Sequence, residues 1–149
     1  MVCTIEFYEK PKLNNPVLIE GLPGIGVVAS ISVLHLINKL KAKLFARIFS
    51  SAFQDITVTT KAGGVRSPIN ELYYHKNNDA CDLILWFGNA QTLTTHGQYE
   101  LCGSVLDISG QLGCNSIITL GGYMQKEIRG SPKIFCAASD PETFKAAFK

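Results

Sequence analysis

PVLIEGLPGIGVVASISVLHLINKL, residues 16 to 40, decides the fold. A short apolar run from Pro16 to Ile19 meets a turn holding Gly21, Gly24 and Gly26, and apolar residues then continue at helical spacing to about residue 41. This is the pattern of a strand, a tight turn and a helix, the unit from which parallel sheets are assembled. The helix is apolar on nearly every side, with only Ser32, His35 and Lys39 aligned along one face, so most of its surface is expected to be buried.

The flanking segments extend the alternation. Residues 2 to 8 alternate as an edge strand, 44 to 49 make another strand, and DLILWFG at 82 to 88 reads as a strand buried on both faces. Residues 56 to 61 and 65 to 75 flank Gly63-Gly64, a signal for a hairpin or longer β-arm. In 95 to 112, Leu101, Val105, Ile108 and Leu112 repeat at i, i+4, i+7 and i+11, with Thr95 and Gln98 as a capping box and Gly113 as the stop. Strands at 115 to 120 and 133 to 137 and a last helix opened by Asp140-Pro141 complete the chain. The expectation is one α/β domain over residues 1 to 149, a three-layer αβα arrangement with a mainly parallel sheet and an antiparallel arm.

Composition narrows the function classes. Hydrophobic residues are 46% and charged ones 17% of the chain, too apolar for disorder and sparing enough in charge to point to buried subunit contacts. The net charge is +2 with no basic run, which argues against nucleic acid. Five cysteines, an odd number with no CxxC or zinc-type spacing, fit a reducing compartment and give no metal site. No apolar run approaches 18 residues and the first residues alternate like a strand, so neither a signal peptide nor a membrane span is expected, and a cytoplasmic location follows.

Three clusters could carry chemistry. Gly24, Gly26 and Ala29 spell GxGxxA, but the following strand ends Ile48, Phe49, Ser50, Ser51 without the acidic residue that holds a ribose. The turn is therefore read as a packing device, so that a β-branched residue at Gly24 or Gly26 should collide with the adjoining strand or be forced to a positive φ. A ligand or anion loop at Gly21, Gly24 and Gly26, with Asn89 and Gln91, stands as the other reading. Arg66, Pro68, Asn70, Glu71, Tyr73 and Tyr74 combine arginine with aromatics, the composition of an interface. GNAQTLTTHGQYE, residues 88 to 100, lies where α/β sites usually open, but Thr95 and Gln98 serve the helix start and His96 stands alone. No GxSxG elbow or HExxH occurs, and the histidines at 35, 75 and 96 fall on separate elements, so no catalytic residue is assigned.

LIEGLPGIGVVASISVLHLINKL, VRSPINELYYH, GNAQTLTTHGQYELCGSVLD and LGCNSIITLGGY, in this order and spacing, resemble the archaeal proteasome assembly chaperone family, the family of proteasome assembly chaperone 2. The resemblance runs from about Pro16 to Ala138. It implies a domain similar in fold to nucleoside phosphorylases, with no cofactor and no catalysis, that self-associates and acts on proteasome α subunits. It also implies that the chain lacks the C-terminal part usual in the family. Some members end in a hydrophobic-Tyr-any docking tail; Ala147, Phe148 and Lys149 place Phe where that tail has Tyr, and a short amphipathic helix over Phe144, Ala147 and Phe148 is the favoured reading. The rival classes are a small-molecule or nucleotide-binding enzyme on a phosphorylase-like fold, of the group labelled ATP-grasp, and a structural oligomer with some other partner.

Overall fold

The computed structural model of the chain describes residues 3–124, 131 and 133–147. Its strands are β1 (Cys3–Phe7), β2 (Val17–Gly21), β3 (Lys43–Ser50), β4 (Val58–Thr59), β5 (Val65–Arg66), β6 (Asn70–His75), β7 (Leu83–Gly88) and β8 (Ser116–Thr119). The helices are α1 (Val28–Leu40), α2 (Thr95–Gln111) and α3 (Pro141–Ala147). Six strands form one sheet in the order β1-β3-β6-β7-β2-β8, and β4 with β5 forms a separate hairpin.

The α/β class stands, and the sheet is mixed. Only the β7-β2-β8 half is parallel; β1, β3, β6 and β7 pair antiparallel, with α1 carrying the chain from β2 across to β3 and α2 carrying it from β7 to β8. The long arm expected around Gly63-Gly64 is correspondingly short. A turn closed by Gly63 at φ +79 joins β4 to β5, whereas residues 70 to 75 belong to a central strand of the main sheet. The segment 133 to 137 is not a strand: Ile134 is 97% and Phe135 64% exposed, and no neighbouring strand pairs with either.

Alternation along the strands sorts side chains to two faces. Leu18, Leu72, Tyr74, Ile84 and Trp86 meet Leu101, Val105 and Ile108 of α2 on one face, and Ile19, Leu85 and Phe87 meet Val33 and Ile37 of α1 on the other. A bulge between Leu44 and Ala46 lets β3 bury both Phe45 and Ala46. The start of α2 lies one residue earlier than the capping box implied: Thr94 is the N-cap, its Oγ1 accepting from Gly97 N at 3.1 Å, and Gln98 instead meets Thr92 Oγ1. Gly113 follows the helix at φ +82, as the stop signal required. Asp140 caps α3, accepting from the amides of Glu142 and Thr143, and these hydrogen bonds hold its carboxyl down at about 2. Phe148 and Lys149 of the tail lie outside the described residues.

Candidate functional site

The parallel strands β2 and β7 are neighbours whose following helices lie on opposite faces of the sheet. A crevice between the loops at residues 22–27 and 89–94 is the place where such folds bind ligands. What lines that crevice decides between an anion loop and a packing device.

Of the three glycines in the first loop, Gly21 carries the packing role. A Cβ there would lie 2.5 Å from Val33 Cβ and 3.0 Å from the Ala29 carbonyl oxygen, so β2 and α1 approach as closely as they do only because position 21 lacks a side chain. Gly26 has φ +66 and needs left-handed freedom. Gly24 needs neither: its backbone is extended and a Cβ would meet nothing within 4 Å. The collision assigned by sequence to Gly24 or Gly26 thus falls on Gly21, because the closest approach is at the end of the strand rather than within the turn. The next residue, Val27, also adopts φ 54, ψ 22, which costs a β-branched residue about 1–2 kcal/mol.

The crevice is occupied by the chain's own groups. Gln91 Nε2 donates to the Pro23 carbonyl, tying the two loops together across the opening. Asn89 turns the other way, accepting from Ile69 N at 2.7 Å and donating to Ser67 O at 3.1 Å. Leu93 N donates to Ala52 O at 2.9 Å, so the 89–94 loop is held from several sides. Beneath the turn, Glu20 Oε1 accepts from Leu22 N at 2.7 Å, placing a carboxylate where an anion loop would need a free amide. Gln91 is therefore brought to the turn holding Gly21, Gly24 and Gly26, where its amide is spent on the fold, while Asn89 is tied to residues 67 and 69. Beside them an open groove of about 530 Å³ is lined by residues 91–95, Gln98, Tyr99 and Cys102. Burial pushes the Cys102 thiol up, away from the reactive thiolate form. His96 is exposed.

Burial also raises the Glu20 carboxyl above its ordinary 4.5, against the opposing pull of the Leu22 and Leu120 amides. A carboxyl raised in the folded state binds more protons folded than unfolded, so its contribution is most favourable below 4.5 and declines as pH rises through the folded value. Urea melts of wild type and Glu20→Gln at pH 4 and pH 7 should show wild type losing ground to the variant at the higher pH. A stability difference independent of pH would refute this.

The second cluster divides. Asn70 is fully buried and Tyr74 packs edge-on against Phe45 at 6.1 Å, so both serve the interior. Arg66 lies on the exposed hairpin and Pro68 in the strand's approach. Glu71 and Tyr73 point to the opposite face, where Tyr73 packs at the edge of the α1 cluster of Val33, Ile37 and Leu85. There, Arg47 Nε pairs with Glu71 Oε1 at 2.9 Å, Tyr73 OH donates to Glu71 Oε2 at 2.8 Å, and the Arg47 guanidinium stands 5.7 Å from the Tyr8 ring. Burial first, and then Glu71, pushes the Tyr73 phenol far up, so it remains a donor at all ordinary pH. Phe49, 40% exposed, follows Arg47 on the same side of β3. Tyr8, Arg47 and Phe49 escaped the sequence reading; the period-2 alternation of Glu6 with Tyr8 and Arg47 with Phe49 was the available signal.

A sequence profile of the PAC2 family matches residues 18–148. Among solved structures, Pyrococcus furiosus PbaB, described as an archaeal proteasome activator, is 41% identical with a TM-score of 0.80, over 87% of this chain and 55% of that one. Pyrococcus furiosus PbaA, described as an archaeal homolog of proteasome-assembly chaperone, shares the fold at 18% identity and a TM-score of 0.64, over 88% of this chain and 50% of that one. An uncharacterized protein of Methanocaldococcus jannaschii is 31% identical over 133 residues, 89% of this chain and 51% of its own length. The chain thus spans about half the length of these relatives.

Proposed function

The chain belongs to the PAC2 family, and from that premise we propose that it is a non-enzymatic, self-associating assembly factor of the cytoplasm that acts on proteasome α subunits. The likeness to PbaB supports a proteasome-related role. The observation that carries the proposal is the antiparallel half of the sheet, where the exposed Tyr8 and Phe49 stand with Arg47 beside the largely buried Glu71, and Tyr73 joins them at the edge of the α1 cluster. Aromatics and arginine are the residues that anchor protein interfaces, and here they are already fixed to one another, so little side-chain freedom is lost on docking.

The test is capture of proteasome α subunits by the immobilised chain. Tyr8→Ser and Arg47→Ser should each weaken capture about tenfold, a loss of about 1.4 kcal/mol. Tyr8→Ser should change the melting temperature little, whereas Arg47→Ser removes the partner of Glu71, whose side chain is only 13% exposed, and should also cost about 1–3 kcal/mol of stability. Wild-type chain that captures no α subunit would sink the proposal. Nucleotide or phosphate that raised the melting temperature, with the effect lost on changing Gly26, would turn the reading toward the small-molecule enzyme.

A further inference from the structure

The sequence pattern of α1 calls for burial on nearly every side, but the fold buries only one. Ala29, Ser30, Val33 and Ile37 face the sheet. On the outer side Val27, Val28, Ile31 and Leu34 are 47%, 45%, 63% and 43% exposed, and Ile25 just before them is 55% exposed. A solvent-facing helix normally carries charge opposite its core stripe. Here no Asp, Glu, Lys or Arg occurs between Glu20 and Lys39.

We infer that this stripe is where a second copy of the chain packs, with the two α1 helices antiparallel about a two-fold axis near Ile31. The inference rests on the self-associating reading above and names the surface that performs it. Three features favour a second copy over an unlike partner. Val28, Ile31 and Leu34 lie at i, i+3 and i+6 along one side of the helix, with Val27 just ahead of its first turn, so the exposed apolar side chains form one continuous seam.

Charge is the second feature. In a two-fold contact each residue near the axis meets its own kind or a near neighbour, so a charged stripe would repel itself and an uncharged one does not. With Ile31 on the axis, Val28 meets Leu34 of the second copy, and Lys39 falls opposite the uncharged Pro23 turn. The sheet face with Arg47 and Glu71 is the charged contrast, suited to a partner that must be released.

Area is the third. The five apolar residues are each 43% to 63% exposed and contiguous, a start toward the roughly 800 Å² per partner of a standard interface. Continuity supplies more: Gly122 sits so close to Ile25 that a Cβ there would collide with the Ile25 carbonyl, and Tyr123 and Met124, 76% and 73% exposed, follow directly. Val27 holds its left-handed backbone at the head of this stripe, where glycine would relieve the strain and remove the side chain.

Sedimentation equilibrium of the chain and of Ile31→Asp, with circular dichroism to confirm folding, is the first measurement. Oxidative cross-linking of Ile31→Cys is the second, with Lys61→Cys on the hairpin turn as background for the five native cysteines. We expect wild type to self-associate, Ile31→Asp to raise the dissociation constant at least tenfold, and Ile31→Cys alone to give a disulfide-linked dimer. Monomeric wild type at tens of micromolar would overturn the self-associating reading itself. An oligomer that survives Ile31→Asp and gives no cross-link through residue 31 would leave that reading standing and overturn the assignment to α1. Loss of α-subunit capture by Ile31→Asp with the oligomer intact would overturn it in favour of the client. Should Ile31→Asp fail to fold, the Ile31→Cys cross-link decides alone.

Discussion

Gly21→Ala is expected to destabilise the chain by about 3 kcal/mol, the upper end of the range for overpacking a tight contact. At ~2–4 °C per kcal/mol for a domain of this size, the melting temperature should fall by about 6–12 °C. The new methyl would stand 2.5 Å from Val33 Cβ and 2.6 Å from its Cγ2, and neither can retreat because Val33 is itself fully buried against the sheet. Moving α1 outward would also strain the hydrogen bond from Ser30 Oγ to Gly21 O at 3.1 Å. The neighbouring glycines are the controls. Gly26→Ala should cost about 1 kcal/mol for its positive φ, and Gly24→Ala should stay within about 0.5 kcal/mol, having open space and an extended backbone. A thermal melt ranking the three in another order would refute the packing account of this turn.

That ranking also marks how far the sequence could be read. Three glycines between a strand and a helix identify a close turn, but which of them touches the helix depends on where the strand ends, and strand ends are not written in composition. The amphipathic repeat from Leu101 to Leu112 was legible because α2 packs a single face, so periodicity and burial coincide. Residues 65 to 75 were harder. Two short segments separated by Pro68 serve different sheets, β5 in the hairpin and β6 in the main sheet, although local pattern joins them into one arm. Residues 133 to 137 are apolar enough for a strand, yet pairing is a tertiary event that no local run can specify.

The candidate site divides along the same line. Arg66, Glu71 and Tyr73 were singled out for their residue types, and type is visible in a sequence. Tyr8 and Arg47 join Glu71 only through the β1–β3–β6 register, in which Glu6 lies opposite Arg47 and Arg47 opposite Glu71. Asn70 and Tyr74 were grouped with them because alternation within a strand cannot say which face a domain will cover. On the face of Glu71 and Tyr73 one finds charge and aromatics beside the α1 cluster; on the face that α2 covers one finds Leu72, Trp86 and Val105.

Asn70→Ala tests that division with a large expected effect. Asn70 Oδ1 accepts from Trp86 Nε1 at 2.6 Å and its Nδ2 donates to the Ala90 carbonyl at 3.1 Å, all within the interior. Truncation strands a buried indole N–H and a buried carbonyl, each a loss of about 1–3 kcal/mol, and leaves a void beside them, so about 4 kcal/mol of stability should go. The amide is also closely seated: a Cβ on Gly88 would come within 2.7 Å of Asn70 Oδ1, which shows how little room remains for a substitute to shift. Trp86 is the single tryptophan, so its emission and near-ultraviolet dichroism report this bond directly and should change in Asn70→Ala even where the backbone still folds. A melting temperature within 2 °C of wild type, with unchanged tryptophan emission and lost capture of α subunits, would reverse the assignment. Asn70 would then belong with Glu71 and Tyr73 as a partner-facing residue, and the division of β6 into an inner and an outer row would be wrong.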